Sequence, residues 1–333
     1  IYPEFSDDTQ AEKPFKNEWI YLNEEQVITD ENGSYSVYST LLTENINLNT
    51  ALAGPWAAVY NMQQERASYA ALLTAPISHD WNWKDYDFSY KQEESNAFYH
   101  TNVIHDYITQ PHLGVNEMNL QMTVNVNHPY NCNAYYDGSS INFFQANDYC
   151  DSSALDAGVI YHEYGHGINR LLVETNDLYW PYECEPGNMN EGMADYWACT
   201  VTDDPCDGHL SRGECLRSCE NIKKFPQDYN CEPHSGAEII AGAFWDLREI
   251  YGQIIVDKLA VDALRLQPMF FSELLENVLI ADDDNGDLSD GTPRINDICH
   301  VFLDNHGIFN HFCAKNNQQA ISLITSPSPS QTN

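Results

Sequence analysis

The rhythm of hydrophobic and polar positions changes near residue 157. Before it, short runs of aromatic and β-branched residues alternate with polar turns, as in Tyr35–Leu42 and Trp56–Tyr60, which is the pattern of strands. Met122-Thr-Val-Asn-Val126 alternates with period two, and Asp137-Gly138 marks a turn before Ile141-Asn-Phe-Phe144, so residues 119–146 also read as strands. Asn32-Gly33 is a further hairpin signal. One helix interrupts this region: Ser95–Thr109 carries Phe98, Tyr99, Val103, Ile104 and Tyr107. Beyond residue 157 a spacing of three and four dominates. It predicts helices over 158–173, 190–202, 236–252, 254–265, 270–281 and 293–306. Residues 203–235 are Cys-rich and Pro-containing with little periodicity, and residues 325–333 have the Ser/Pro composition of a linker.

The helix over 158–173 carries the most specific chemistry. Val159, Ile160, Ile168, Leu171 and Leu172 bury it, and inside it stands His162-Glu163-Tyr164-Gly165-His166. Residues four apart share a helix face, so His162 and His166 are placed to bind one ion together, with Glu163 beside them to act on the ion's water. After His166, 25 residues on, comes Glu191-Gly192-Met193-Ala194-Asp195. Glu191 is a third ligand, and Asp195, one turn later on the same face, is placed to hold the outer nitrogen of a ligating histidine. Two histidines and a glutamate with one position left for water make a catalytic zinc site. The competing reading is a chance match on a solvated helix face. Burial argues against it, because a buried Glu between two buried His needs a compensating charge. His100 and His105 are five apart and point to different sides, so they read as structural.

Composition narrows the remaining possibilities. A chain of 333 residues with 43% hydrophobic content buries a large core. No apolar run reaches the length of a membrane span. Ile1, where a translated chain starts with Met, reads as a matured or trimmed terminus. The net charge of −35, from 50 acidic against 15 basic residues, argues against nucleic acid and anionic membranes as partners and favours solubility. Ten cysteines suit five disulfides in an oxidising, extracellular setting, and Cys132–Cys150 and Cys299–Cys313 are local pairings. A structural zinc cluster from Cys206, Cys215, Cys219 and Cys231 is the alternative, weakened by the lack of any CxxC pair. Asn32-Gly33-Ser34 fits a glycosylation acceptor as well as a plain turn. The acidic run with Asp282, Asp283, Asp284, Asp287 and Asp290 suggests Ca²⁺, although Ala281 occupies the first ligand position of an EF-hand register. Its alternative is a solvated loop that caps the helix near Pro293.

Several segments together resemble the fungalysin-type branch of the thermolysin-like zinc peptidases. They are Asn96–Asp106, ending in Ile-His-Asp; Asn133-Ala-Tyr-Tyr-Asp-Gly-Ser-Ser-Ile-Asn-Phe143; His162–His166; Glu191–Asp195; Pro233-His-Ser-Gly-Ala-Glu-Ile-Ile-Ala-Gly-Ala-Phe-Trp245; Gln267-Pro268; and Ala281–Gly286. They follow one another in the family's order from about residue 94 to 310. Metzincin spacing fails, since Asn169 and Leu172 stand where Gly and His are required. The resemblance implies an α+β fold of two lobes, β-rich over 1–157 and helical over 158–324, with the active-site cleft between them and a tail over 325–333. It implies zinc held by His162, His166 and Glu191, with Glu163 as general base. His234 becomes the donor to the developing oxyanion, aided by Tyr182 or Tyr179, and Asp228 lies close in sequence to His234 but not at the offset of the family's orienting aspartate. Substrate is expected as an extended peptide along the edge strand at Asn133 and Ala134. A pro-segment and further C-terminal domains are expected companions. The function implied is a secreted zinc endopeptidase. The alternatives are a restricted exopeptidase, a glycoprotein-targeted protease, or a non-catalytic adhesion module, the last disfavoured because every ligand and base position is filled.

Overall fold

The computed structural model describes residues 1–4, 8–37, 45–74, 78–83, 91–173, 184–210 and 214–314. Contacts divide the chain into two compact units, residues 1–171 with 197–217, and residues 172–196 with 218–333. The fold is α+β, with the sheets in the first unit and a helical second unit.

The first unit contains two four-stranded sheets. One is antiparallel, in the order β2-β1-β3-β5, from β1 (Trp19–Leu22), β2 (Glu25–Ile28), β3 (Asn45–Ala51) and β5 (Ser68–Thr74). Ile20, Leu22, Leu48 and Leu73 form the apolar cluster of this sheet, with Tyr35 and Trp81 packed against them. The other sheet runs β4 (Ala57–Asn61), β6 (Met122–His128), β8 (Ser140–Phe144), β7 (Ala134–Tyr136). Its first three strands are parallel, and β7 closes the edge antiparallel to β8. Parallel pairing requires a long crossover. Between β4 and β6 that crossover includes α1 (Lys91–Ile108), which packs on both strands and buries Ala97, Phe98, Ile104 and Ile108. His100, on α1, accepts from Tyr161 Oη at Nδ1 (2.7 Å) and donates from Nε2 to the Tyr2 carbonyl (2.8 Å). Burial holds it neutral, at about 4, so it is a structural histidine.

Helix α2 (Ala157–Val173) begins where Asp156 Oδ1 accepts from the Val159 amide at 3.1 Å. It passes beside the second sheet at Gly167, where a Cβ would stand 3.3 Å from Met122 Cε and 3.8 Å from Tyr136 Cε2. One turn on, Arg170 donates to the Gly138 carbonyl in the β7–β8 connection. The residues after 203 are not featureless. Strands β9 (Cys206–Leu210) and β10 (Glu214–Ser218) pair as a two-stranded sheet, joined by the Cys206–Cys215 disulfide.

In the second unit, α3 (Cys184–Thr202, its residues to 196), α4 (Pro233–Tyr251), α5 (Gln253–Arg265), α6 (Phe271–Asp282) and α7 (Ile295–Cys299) supply the core. Glu232 caps α4 by accepting from the Ser235 amide at 2.7 Å, Pro233 fills its first turn, and Gly252 at φ 80° ends it. The helix expected over 293–306 splits into α7 and a π-helical turn, His300–Asn305. His306, just beyond, is fully buried between the Lys223 carbonyl (2.9 Å) and Asp246 (3.2 Å).

All ten cysteines are disulfide-bonded. Cys132–Cys150 and Cys299–Cys313 pair as the spacing suggested. The Cys206–Cys215 and Cys184–Cys231 bonds remove the four-cysteine zinc alternative. Asn32-Gly33 forms a turn, with the Gly33 amide on the Asp30 carbonyl at 2.9 Å, but the β1–β2 hairpin turns at Asn23 instead (φ 55°). Residues 34–37 are not a strand. The remainder of Tyr35–Leu42, together with Tyr179, Tyr182 and the tail over 325–333, lies outside the described residues. Among the described residues, no helix is long and apolar enough to cross a membrane.

Glu18 is an ionisable group placed in the core. It accepts from Thr50 Oγ1 (2.5 Å) and Trp83 Nε1 (3.3 Å), and burial pushes it up to about 7 from an ordinary 4.5. The folded state therefore holds a proton there that the unfolded chain releases at lower pH. The resulting stability is full below about pH 4.5 and is lost as pH rises through about 7, a change of about 3 kcal/mol. Glu18→Gln keeps both hydrogen bonds available and should flatten this loss. Melting curves of the two proteins from pH 5 to about 8 check it: the gap between them should widen as pH rises, and a constant gap would count against this assignment.

Candidate metal centre

Both histidines of the α2 motif are buried, at 6% exposure each, with Glu163 between them at 5%. Their rings meet at 87° with centroids 4.7 Å apart, and the two Nε2 atoms approach to 3.1 Å. Zinc–imidazole bonds of about 2.0–2.1 Å at a tetrahedral angle place two nitrogens roughly 3.3 Å apart, so this pair fits a shared zinc ion. The helix supplies the geometry, because a separation of four residues brings the side chains one above the other.

On the outer side of His162, two residues from the β9–β10 pair face Nδ1. Asp207 Oδ2 lies 3.6 Å away, and an Arg217 Nη2 bonded to Asp207 at 2.7 Å lies 3.4 Å from the same nitrogen. At Gly158, in the first turn of α2, a Cβ would stand 3.3 Å from the Gly208 amide, so the small residue lets β9 sit against the helix. Neither Asp207 nor Arg217 was anticipated. They fall in the segment without periodicity, and the flanking cysteines say nothing about which side chains turn inward.

Also in this unit, Asn133 is exposed and Ala134 opens β7. The Asn133 carbonyl accepts from the Phe144 amide (3.1 Å) and Ser153 Oγ (2.9 Å), which anchors the start of the edge strand. Because β7 ends the sheet, its outer backbone is a template for an added strand.

The second unit holds the distal carboxylates. Glu191 and Asp195, one turn apart on α3, are both buried. Gly192 explains how α4 comes so close to them: a Cβ there would meet the Ala237 carbonyl oxygen at 2.5 Å. At the start of α4, His234 Nε2 lies 3.5 Å from Glu191 Oε2, and Nδ1 lies 2.9 Å from Glu232 Oε1. His234 is open, with 54% of its side chain exposed. The carboxylate that orients it is Glu232 and not Asp228, which instead accepts from the Lys224 amide in a turn. Its hydrogen bond to His234, with the Ser235 amide, holds the Glu232 carboxyl below the usual range. Pro233, at the first helical position, is the sequence signal that could have marked the helix start and so the residue before it, Glu232.

The acidic loop is partly committed elsewhere. Asp282 accepts from Thr292 Oγ1 (2.7 Å), the Arg294 amide (2.7 Å) and the Arg294 guanidinium (2.6 Å). Asp283 accepts from the Gly286 amide, Asp287 from the Ser289 amide (3.0 Å) and Asp290 from Asn285 (3.0 Å), whereas Asp284 is exposed.

Residues 22–170 match the family model described as the thermolysin metallopeptidase catalytic domain. Over 92 residues the chain is 32% identical to Extracellular metalloproteinase 2 of Trichophyton tonsurans and to that of Arthroderma benhamiae, which is 26% of this chain and 15% of each relative. The chain thus spans only a small part of those relatives' length. The precursor of protealysin, a metalloproteinase from Serratia proteamaculans, superposes with a TM-score of 0.58 over 76% of this chain and 87% of its own, at 13% identity. That likeness establishes the fold. The chain therefore shares its fold with the protealysin precursor, and across residues 22–170 its sequence matches the thermolysin metallopeptidase catalytic domain.

Proposed function

We propose that the chain is a secreted zinc endopeptidase, with His162, His166 and Glu191 as the metal ligands. The observation that carries this reading is the pair of buried imidazole nitrogens 3.1 Å apart on α2, with Glu163 on the same helix. Bound zinc supplies Lewis acidity, which makes water a nucleophile at neutral pH and draws charge from a peptide carbonyl. Glu163 takes the proton of the attacking water and delivers it to the leaving amine. His234 donates from Nε2 to the carbonyl oxygen as negative charge builds, with its Nδ1–H turned toward Glu232. Tyr182 is the second donor inferred from the sequence. Asp195 is inferred to brace a ligating imidazole.

An extended peptide pairing with β7 at Asn133 and Ala134 fits this reading, since α2 passes beside that strand at Gly167 and Arg170. Secretion is supported by ten disulfide-bonded cysteines and by relatives that are named extracellular. A pro-segment and further C-terminal domains belong to the same proposal. Calcium, the second inferred cation, would use Asp283, Asp284, Asp287 and Asp290 without Asp282, whose oxygens are taken by Thr292 and Arg294.

Cut-site mapping on casein and on a mixed peptide library tests the activity. Internal cuts within extended sequences are expected from the zinc-loaded protein. Stepwise loss of single residues from one end would replace the endopeptidase with an exopeptidase, and intact substrates would refute the catalytic reading.

A further inference from the structure

We propose that Asp207, anchored by Arg217 on the β9–β10 hairpin, positions His162 for metal binding. The inference rests on the zinc reading above and adds a residue that the ligand motif does not contain.

A histidine that binds metal through Nε2 carries its proton on Nδ1, and an acceptor there fixes both tautomer and ring angle. The Nδ1 of His162 faces Asp207 Oδ2 at 3.6 Å. Arg217 approaches the same nitrogen at 3.4 Å, but a guanidinium only donates and cannot receive that proton. Its 2.7 Å bond to Asp207 Oδ2 makes it the anchor of the acceptor.

Burial strengthens the assignment. The side chains of Asp207 and Arg217 are 2% and 14% exposed. Buried ion pairs are poor stabilisers, often no better than apolar side chains of the same size. A pair like this behind a metal-ligand candidate is better explained by orientation than by stability. The mount is stiff: the Cys206–Cys215 bond crosses the hairpin next to Asp207, and Gly158 lets that strand sit directly on α2.

The test compares wild type with Asp207→Asn, Arg217→Gln, the double variant and Asp195→Asn. The readouts are zinc dissociation constants from chelator competition, visible spectra of the cobalt-substituted proteins, and melting of the metal-free forms. Asp207→Asn should weaken zinc by about 10–100-fold and shift the cobalt bands, with metal-free melting little changed. Arg217→Gln should act in the same direction by a smaller factor, and it carries the test alone if Asp207→Asn does not fold. The double variant should stay weak. If it regains wild-type affinity, Asp207 is merely the counter-ion of Arg217 and the proposal is overturned. Zinc affinity unchanged in Asp207→Asn, or in Arg217→Gln where that variant stands alone, overturns it too. Loss in Asp195→Asn alone would return the role to Asp195. Wild-type protein that binds no zinc would instead overturn the functional reading beneath.

Discussion

Glu163→Ala is expected to keep its zinc and lose peptide cleavage by roughly 10²–10⁴-fold, the usual contribution of a positioned general base. The physical reason is its place on α2. Glu163 follows a ligand candidate directly, so it cannot share the face on which His162 and His166 meet, yet it is buried beside them. A carboxylate there can accept a proton from water without joining the ligand set. Glu163→Gln preserves shape and hydrogen bonding but not basicity, and should be nearly as inactive. Metal content measured alongside casein cleavage separates the outcomes. Wild-type turnover in either variant would remove Glu163 from the reaction, whereas loss of zinc in step with activity would make it a ligand.

Stripping the metal should have the second largest effect. Cleavage should fall to background in a strong chelator and return when zinc is added. Stability should fall as well, because a ligand that binds only the folded state contributes about 4 kcal/mol when present at a thousand times its dissociation constant. For a chain of this size the melting point should drop by roughly 5–10 °C. Calcium added back alone should recover part of the melting point and none of the cleavage, if the loop over 283–290 binds it. Cleavage that survives complete zinc removal would refute metal catalysis, and melting indifferent to calcium would remove that ion from the loop.

The parts of this molecule that were legible in advance are governed by local chain geometry. The two candidate ligand histidines lie four apart on an apolar helix, and both the helix and the pair follow from one periodicity. His234 came instead from the resemblance of the segment at 233–245, and the spacing starts that helix at 236, three residues after its actual start at Pro233. Features that depend on chain segments meeting from a distance were not legible. Asp207 reaches His162 through a hairpin 45 residues away in sequence. Asp282 looked like an oxygen donor for calcium until Arg294 came back across the loop to meet it. The start of α3 was missed for a different reason. The spacing predicts a helix from 190, but Pro186 and Gly187 fall in a first turn, where the backbone amides need no helical partner, so the helix begins at Cys184. The Asn32-Gly33 turn misled because a tight turn makes a hairpin only when strands flank it on both sides.

The origins of α3 and α4 are fastened twice. Cys184 is bonded to Cys231, and Asn188 Nδ2 donates to the Glu232 and Pro233 carbonyls at 2.8 and 2.7 Å. Glu191 lies one turn beyond Asn188 and His234 three residues beyond Cys231, so the spacing of these two side chains is set at the roots of their helices. Closing the sulfur bridge converts a hydrogen-bonded joint into a covalent one. Such a bond persists only in oxidising surroundings, so the rigidity of these two helix roots depends on redox conditions.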